Sequence, residues 1–80
     1  MNERDALLRT VQRLIEAISD ERLGPDDALE LDSFTLVEVL EAIERAVGVT
    51  IRPQDLRPEH FQSARTVAAL VHERQQQERT

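Results

Sequence analysis

The sequence predicts an all-α fold, a four-helix bundle of three main helices plus one short helix with a long first loop. Apolar residues recur at intervals of three and four along three separate segments, and glycine and proline interrupt the chain between them. No segment alternates apolar and polar residues as a half-buried strand does. The 80 residues indicate a single domain, residues 1–80, with its core at about 3–74 and a polar tail at 75–80.

The first helix is predicted over residues 3–18. Leu7, Val11 and Ile15 are among the apolar residues that recur there at helical spacing, and charged residues occupy the other side. The stretch from Ser19 to Asp32 contains a Gly-Pro pair and three leucines. This composition indicates an ordered loop that its leucines hold against the core, not a flexible linker.

The second helix is predicted to begin near Ser33, with Asp32 or Ser33 as its N-cap, and to stop at Gly48. We expect its glutamates and Arg45 to face solvent. Its predicted core stripe consists of Leu36, Leu40, Ile43 and Val47.

In the last part of the chain, the sequence predicts one short helical turn at residues 58–61, with proline in its first position. A final helix is expected from about Ala64 into the seventies, with Val67, Leu70 and Val71 buried. The polar residues after it are expected to fray.

Composition and charge exclude several classes of partner. Sixteen acidic residues face ten basic ones, all arginine, and the net charge of −6 disfavours nucleic acid and anionic membrane surfaces. No apolar run is long enough to span a bilayer, and the charged start of the chain is unlike a signal peptide, so the expected compartment is the cytoplasm. Seven acids and no base lie between Arg22 and Arg45, which favours basic protein surfaces as partners.

The sequence offers little material for catalysis. There is no cysteine, and the two histidines, His60 and His72, lack the spacing of metal ligands and sit in polar surroundings. No nucleophile signature accompanies any serine, and the two glycines do not form a phosphate-binding loop. We therefore expect neither catalytic nor metal-binding residues, and no enzymatic activity.

One motif remains, the Asp-Ser pair at the start of the second helix. The segment from Leu31 to Leu40, which reads LDSFTLVEVL, resembles the signature of acyl carrier proteins. The similarity continues through the Gly-Val-x-Ile run at residues 48–51 and the Thr-Val pair at residues 66–67, and it covers roughly residues 5–72. An Asp-Ser pair alone is a common helix cap, but this combination is specific.

The resemblance implies a carrier that makes no bonds itself. A separate phosphopantetheinyl transferase attaches 4'-phosphopantetheine from coenzyme A to the motif serine, here Ser33, and Asp32 helps to position the transferase's metal. The arm holds acyl or aminoacyl cargo as a thioester. An acyl- or aminoacyl-loading ligase and downstream biosynthetic enzymes are the further partners, and we expect a monomer.

The acidic second helix is expected to dock these partners. Glu38, Glu41 and Glu44 follow Ser33 on the same helix, with Val37 at its exposed edge, and such charges favour fast, weak and salt-sensitive encounters. Phe34 lies where partners of the family touch the root of the arm. Solubility alone is the alternative explanation for each glutamate.

Two departures from the fatty-acid type point to a specialised biosynthetic role. Many fatty-acid carriers have Gly two residues before the serine and Leu after it, whereas this chain has Leu31 and Phe34. Leu-Asp-Ser, with Phe-Gln-Ser at residues 61–63, looks more like stand-alone aminoacyl, D-alanyl or biosynthetic-cluster carriers. The alternatives are an aminoacyl or peptidyl carrier with an adenylating ligase, and a helical adaptor without a prosthetic group.

A sheltered cargo would need an aliphatic interior between the second helix and the segments after it. We expect the segment from Arg52 to Ser63 to be the least stable part and to open for cargo, with shallow shelter for short cargo. The residues expected to line this interior are Leu36, Leu40, Ile43, Val47, Ile51, Phe61 and Val67.

Overall fold

The computed structural model describes residues 3–79 and contains three α-helices, α1 (Glu3–Ser19), α2 (Ser33–Val47) and α3 (Ala64–Arg79). The first loop, residues 20–32, joins α1 to α2. The connector, residues 48–63, joins α2 to α3 and contains two short 3₁₀ turns, Pro53–Asp55 and Pro58–Phe61. Residues 3–79 contain no strand, so the predicted all-α bundle is confirmed. The turn at Pro53–Asp55 was not predicted.

The main core is a cluster of ten aliphatic side chains from all three helices and the connector. Helix α1 contributes Leu7, Val11 and Ile15, as its spacing predicts, and it packs closely against both α2 and α3. Helices α2 and α3 approach each other far less closely. The other members of the cluster are Val39, Ile43, Val49, Ala64, Val67, Ala68 and Val71.

Helix α2 buries Leu40 and Ile43, as predicted, and also Val39, which was not predicted. Val39 and Ile43 belong to the main core, whereas Leu36 is only half-buried, and Leu40 is buried outside the core cluster. Val47 is half-buried and packs against the core. The sequence pattern shows which side of a helix is apolar, but it does not show from which direction the neighbouring helix approaches. In this fold the direction of approach places Val39 in the main core.

The first loop is ordered and held to the helices, as predicted. The Gln12 side-chain amide donates to the Leu23 carbonyl at 3.1 Å, and the Leu23 amide donates to the Glu16 carboxylate at 2.8 Å. Three half-buried leucines of the loop, Leu23, Leu29 and Leu31, pack against the main core. These contacts fix the first loop against α1 and the main core, and so they also fix the position at which α2 begins.

An ion pair and two backbone hydrogen bonds join the first loop to the start of α3 and to the end of the connector. Arg65 contacts both carboxylate oxygens of Asp26, at 2.7 and 3.2 Å, and its amide donates to the Pro25 carbonyl at 2.9 Å. The Leu29 amide donates to the Gln62 carbonyl at 2.9 Å. The hydrogen bond from Arg65 lowers the pKa of the Asp26 carboxyl below its ordinary value of 3.8, so this carboxylate stays charged at neutral pH.

Helix α3 begins with a reciprocal cap and is longer than predicted. The Thr66 amide donates to the Ser63 hydroxyl at 3.2 Å, and the Ser63 amide donates to the Thr66 hydroxyl at 3.0 Å, which satisfies two free amides of the first turn. The helix continues to Arg79 and so includes residues of the polar tail that the sequence was expected to leave outside it. Arg74, directly before this tail, has a buried side chain.

Candidate functional site

The start of α2 presents the candidate serine. Asp32 is the N-cap, because its carboxylate accepts the Thr35 amide at 2.7 Å while its carbonyl accepts the Leu36 amide at 2.9 Å. Ser33 is the first residue of the helix, and its side chain is exposed. Of the two caps that the sequence allowed, the structure uses Asp32, which leaves the Ser33 hydroxyl free for chemistry.

The N-terminal end of α2, where Ser33 lies, favours negative charge. The positive end of the α2 dipole faces Ser33, and a helix N-terminus favours a negatively charged group beside it. The hydrogen bond from the Thr35 amide is the main cause that lowers the pKa of Asp32 below 3.8, although the carboxyl is fully exposed. Asp32 therefore carries its negative charge throughout the neutral range, directly before the serine.

Two large apolar side chains that follow Ser33 on α2 are exposed to solvent. Phe34 exposes 75% of its surface and Val37 exposes 50%, and their spacing of three residues places them on neighbouring positions of α2. Burial of either in the domain's own core would stabilise the fold, but both remain on the surface next to the start of α2. Leu56 of the connector is 49% exposed as well, and its sequence context did not single it out.

The predicted acidic surface of α2 divides into two parts. Glu38 and Glu41 are exposed, as expected. Glu44 is half-buried, and its carboxylate accepts the Ile51 amide at 2.9 Å, so it holds the connector against α2. The expectation that Glu44 faces solvent is therefore wrong in part, because the chain folds back to use it after Gly48.

Gly48 explains how the chain turns back. Its backbone has φ +78°, in the left-handed region that favours glycine, and its amide donates to the Glu44 carbonyl at 2.9 Å. This cap ends α2 as the sequence predicted. It also directs Val49 into the core and brings Ile51 within reach of the Glu44 carboxylate.

The titratable residues of the described part of the chain do not form a metal centre. No group of three or more His, Asp or Glu side chains in residues 3–79 has an arrangement that could hold a metal ion. His60 lies in the second 3₁₀ turn, where its ring centroid is 6.4 Å from that of Phe61 in an edge-on arrangement, and His72 is half-buried on α3. No helix in the same range is long and apolar enough to cross a membrane.

The aliphatic residues expected to shelter cargo do not form one separate interior. Ile43 and Val67 are members of the main core, and Val47, Ile51 and Phe61 pack against it. Only Leu36 and Leu40 lie outside that cluster, on the helix that begins at Ser33. Any space for cargo is consequently smaller than the sequence suggested.

Comparison with known protein families gives one result. A family model described as "Phosphopantetheine attachment site" matches residues 5–73, which is most of the chain and includes the Asp-Ser pair at the start of α2. No curated protein and no solved structure matches the chain.

Proposed function

The chain belongs to the phosphopantetheine-attachment family of acyl carrier proteins, and from that premise we propose that Ser33 bears its arm. The prosthetic group of this family is covalent 4'-phosphopantetheine, whose terminal thiol holds cargo as a thioester. The observation that supports Ser33 is its combination of an exposed hydroxyl with the N-terminal position on α2, immediately after the charged cap Asp32.

The residues around Ser33 fit such an attachment. The α2 dipole favours the negative charge of a phosphodiester, and the hydroxyl is free because Asp32 performs the capping. In the attachment step the Ser33 oxygen displaces adenosine 3',5'-bisphosphate from coenzyme A, and its proton passes to a base of the transferase. We assign Asp32 the role of positioning the transferase's metal, since its carboxylate is exposed and charged at neutral pH.

Carrier domains of this family are generally not catalysts and act through a transferase and acyl-handling enzymes. We infer that the partner surface consists of Phe34, Val37, Glu38 and Glu41, since these residues are exposed on the helix that starts at Ser33. An apolar pair beside two free carboxylates gives contact area and electrostatic attraction to a basic partner. Glu44 has a smaller share in this surface because it also binds the connector.

Reversal of the charges at Glu38 and Glu41 to lysine tests this surface. Neither side chain is needed for a hydrogen bond inside the domain, so stability should change little, while loading by the transferase should slow about tenfold at low salt. The rate should also lose most of its dependence on ionic strength. The measurement is the initial rate of loading in a salt series.

The control for charge reversal is Glu21→Lys with Glu73→Lys, two exposed acids outside α2, which alters the net charge equally. This control should keep most of the wild-type rate. If both double variants slow loading to the same extent, total charge governs the encounter and α2 has no special role.

For the pathway, we propose specialised biosynthesis by a cytoplasmic, monomeric carrier instead of housekeeping fatty-acid synthesis. The support is Phe34, whose ring is 75% exposed beside the arm where many fatty-acid carriers have leucine. An aminoacyl or peptidyl carrier that works with an adenylating ligase is the second candidate, favoured by Leu31-Asp32-Ser33. Loading assays with an acyl-loading ligase and with an adenylating ligase that supplies amino acids separate these two candidates.

The decisive experiment for the carrier function is an intact-mass measurement after incubation with coenzyme A and a broad-specificity transferase. We expect the whole protein population to gain the mass of one phosphopantetheine, with the modified peptide containing Ser33. An unchanged mass, with a known carrier modified in the same tube, would favour the adaptor without a prosthetic group.

A further inference from the structure

The start of α2 is held by the first loop and not by the main core. Of the side chains that the structure describes, none in the first turn of α2, residues 33–36, belongs to the main core or is among the apolar side chains that pack against it. The first α2 residue that belongs to the main core is Val39, which lies about 9 Å along the helix after Ser33. By contrast, Leu29 and Leu31 of the first loop pack against the core. The position of Ser33 therefore depends on how firmly the first loop is held.

A tight turn in the first loop is the part that the start of α3 contacts. The Gly24 amide donates to the Asp27 carboxylate at 2.7 Å, and the Asp27 amide donates to the Gly24 carbonyl at 3.3 Å, so residues 24–27 form a closed turn. Pro25 and Asp26 are its two central residues, and proline is favoured in the first of these positions because its ring already fixes φ near the required value. The turn therefore presents the Pro25 carbonyl and the Asp26 carboxylate as a preformed unit.

Arg65 binds both central residues of this turn. Its backbone amide donates to the Pro25 carbonyl at 2.9 Å, and its Nε and Nη2 donate to the two Asp26 carboxylate oxygens at 2.7 and 3.2 Å. Such a two-pronged contact between a guanidinium and a carboxylate fixes orientation as well as distance. The hydrogen bond to Asp26 and the charge of that carboxylate raise the pKa of Arg65 above its ordinary value, and the charge of Asp5 on α1 acts in the same direction. Arg65 therefore ties the first loop to α3 with both its main chain and its side chain.

A further hydrogen bond holds the loop closer to the serine. The Leu29 amide donates at 2.9 Å to the carbonyl of Gln62, which lies just before α3. We call this bond, together with the contacts of Arg65 with the turn, the loop brace. Helices α2 and α3 themselves approach each other far less closely than either approaches α1. The loop brace therefore links α3 to the segment that leads into Ser33.

We propose that Arg65 is a positioning residue for attachment of the arm, because by holding the first loop it keeps the start of α2 where the transferase meets Ser33. The inference rests on the proposed attachment of the arm at Ser33. Both side chains of the Arg65–Asp26 pair are more than half exposed, and an exposed ion pair adds little to the free energy of unfolding. Arg65 therefore acts on the order of the loop and not on the stability of the bundle. A transferase that docks on a loose loop must order it first, which weakens binding and leaves the reaction of the bound serine unchanged.

The test replaces both members of the ion pair by alanine, Asp26→Ala with Arg65→Ala in one protein, which keeps the net charge at −6. We expect the KM of the transferase for this carrier to rise about three- to tenfold, with kcat within about twofold of wild type. The matched control is Arg57→Ala with Glu59→Ala, which also removes an exposed pair without a change in net charge. This control should keep the wild-type KM.

Reversal of the pair separates the position of the loop from the charge of its residues. Asp26→Arg with Arg65→Asp restores an ion pair between the same two sites and puts the opposite charge at each. Because the pair acts by holding the loop, the KM of this protein should return to within about twofold of wild type. If either charge contacts the transferase directly, the reversed protein stays as impaired as the alanine variant, and that outcome would overturn the positioning role.

Amide exchange of Leu29 measures the order of the loop itself. In the alanine variant this amide should exchange faster by at least about threefold, because its bond to Gln62 belongs to the loop brace, while the amides of Val39 and Val67 in the core helices should be unchanged. An unchanged Leu29 amide would show that the loop stays ordered without Arg65 and would contradict the proposal.

Intact mass of each protein after incubation with coenzyme A and transferase is measured first. If the wild type gains no phosphopantetheine, the proposed function is contradicted. If the wild type is loaded and the alanine variant keeps the wild-type KM, only the role of Arg65 is contradicted. Should the alanine variant not be helical, Asp26→Asn with Arg65→Gln carries the same comparison.

Discussion

Ser33→Ala is expected to abolish attachment of phosphopantetheine completely while leaving the helical bundle intact. The loss is total because the substitution removes the only oxygen at this position that can displace the nucleotide leaving group. The fold should survive because Asp32 provides the N-cap of α2, and alanine is a strong helix former in the position that follows. Intact mass after incubation with coenzyme A and transferase measures the first effect, and circular dichroism measures the second.

The other two serines supply the comparison. Ser19 is half-buried and its hydroxyl donates to the Ile15 carbonyl at 2.7 Å, whereas Ser63 is 7% exposed and caps α3. Ser19→Ala should therefore load fully. Ser63→Ala should load too, with stability reduced by about 1 kcal/mol through the lost cap. Any modification that persists in Ser33→Ala would show that the arm is attached elsewhere.

The parts of the fold that depend on neighbours in sequence could be predicted from sequence alone. The start of α2 at Ser33 follows from an Asp that accepts the Thr35 amide, and its end follows from a glycine that adopts positive φ. The turn at Pro58–Phe61 likewise follows from the proline in its first position. The exposed serine next to a charged cap is a local arrangement of this kind, so the candidate site was predictable as well.

The parts that depend on distant contacts were not predictable. Helix α2 carries apolar residues over a wide arc, and only the position of α1 decides that Val39 enters the main core while Leu36 does not. Arg74 lies in a polar run, and its burial depends on partners at Thr50 and Asp55 that approach only after the connector has folded back. The partial burial of Glu44 has the same cause, since its carboxylate accepts the Ile51 amide of the connector.

These distant contacts change how the acidic helix should be understood. Its glutamates are equivalent in sequence, but in the structure Glu38 and Glu41 are exposed to partners and Glu44 helps to fix the connector. A substitution at Glu44 would therefore mix a change in docking with a change in domain stability. The charge-reversal experiment is cleaner with Glu38 and Glu41 for this reason.

Asp32→Asn is expected to slow loading by about 10–100-fold while it preserves helix α2, the range seen when a residue that orients a metal site is replaced. The aspartate has two separable functions. As a cap it accepts the Thr35 amide at 2.7 Å, and asparagine performs that function equally well. As a charge it is proposed to position the transferase's metal, and asparagine lacks that charge. The lowered pKa of Asp32 keeps the carboxylate ionised at neutral and higher pH, so the loss should not depend on pH in that range.

Two further variants make the Asp32→Asn result specific. Asp27→Asn is the matched control, since Asp27 is also exposed in the first loop and its carboxylate accepts a nearby amide, that of Gly24 at 2.7 Å. It should load at the wild-type rate. Asp32→Ala removes both cap and charge, so it should load as slowly as Asp32→Asn and also lower the thermal midpoint of unfolding. If Asp32→Asn loads at the wild-type rate and only Asp32→Ala is impaired, Asp32 serves the carrier as a helix cap, because the geometry of α2 and not the charge then presents Ser33 to the transferase.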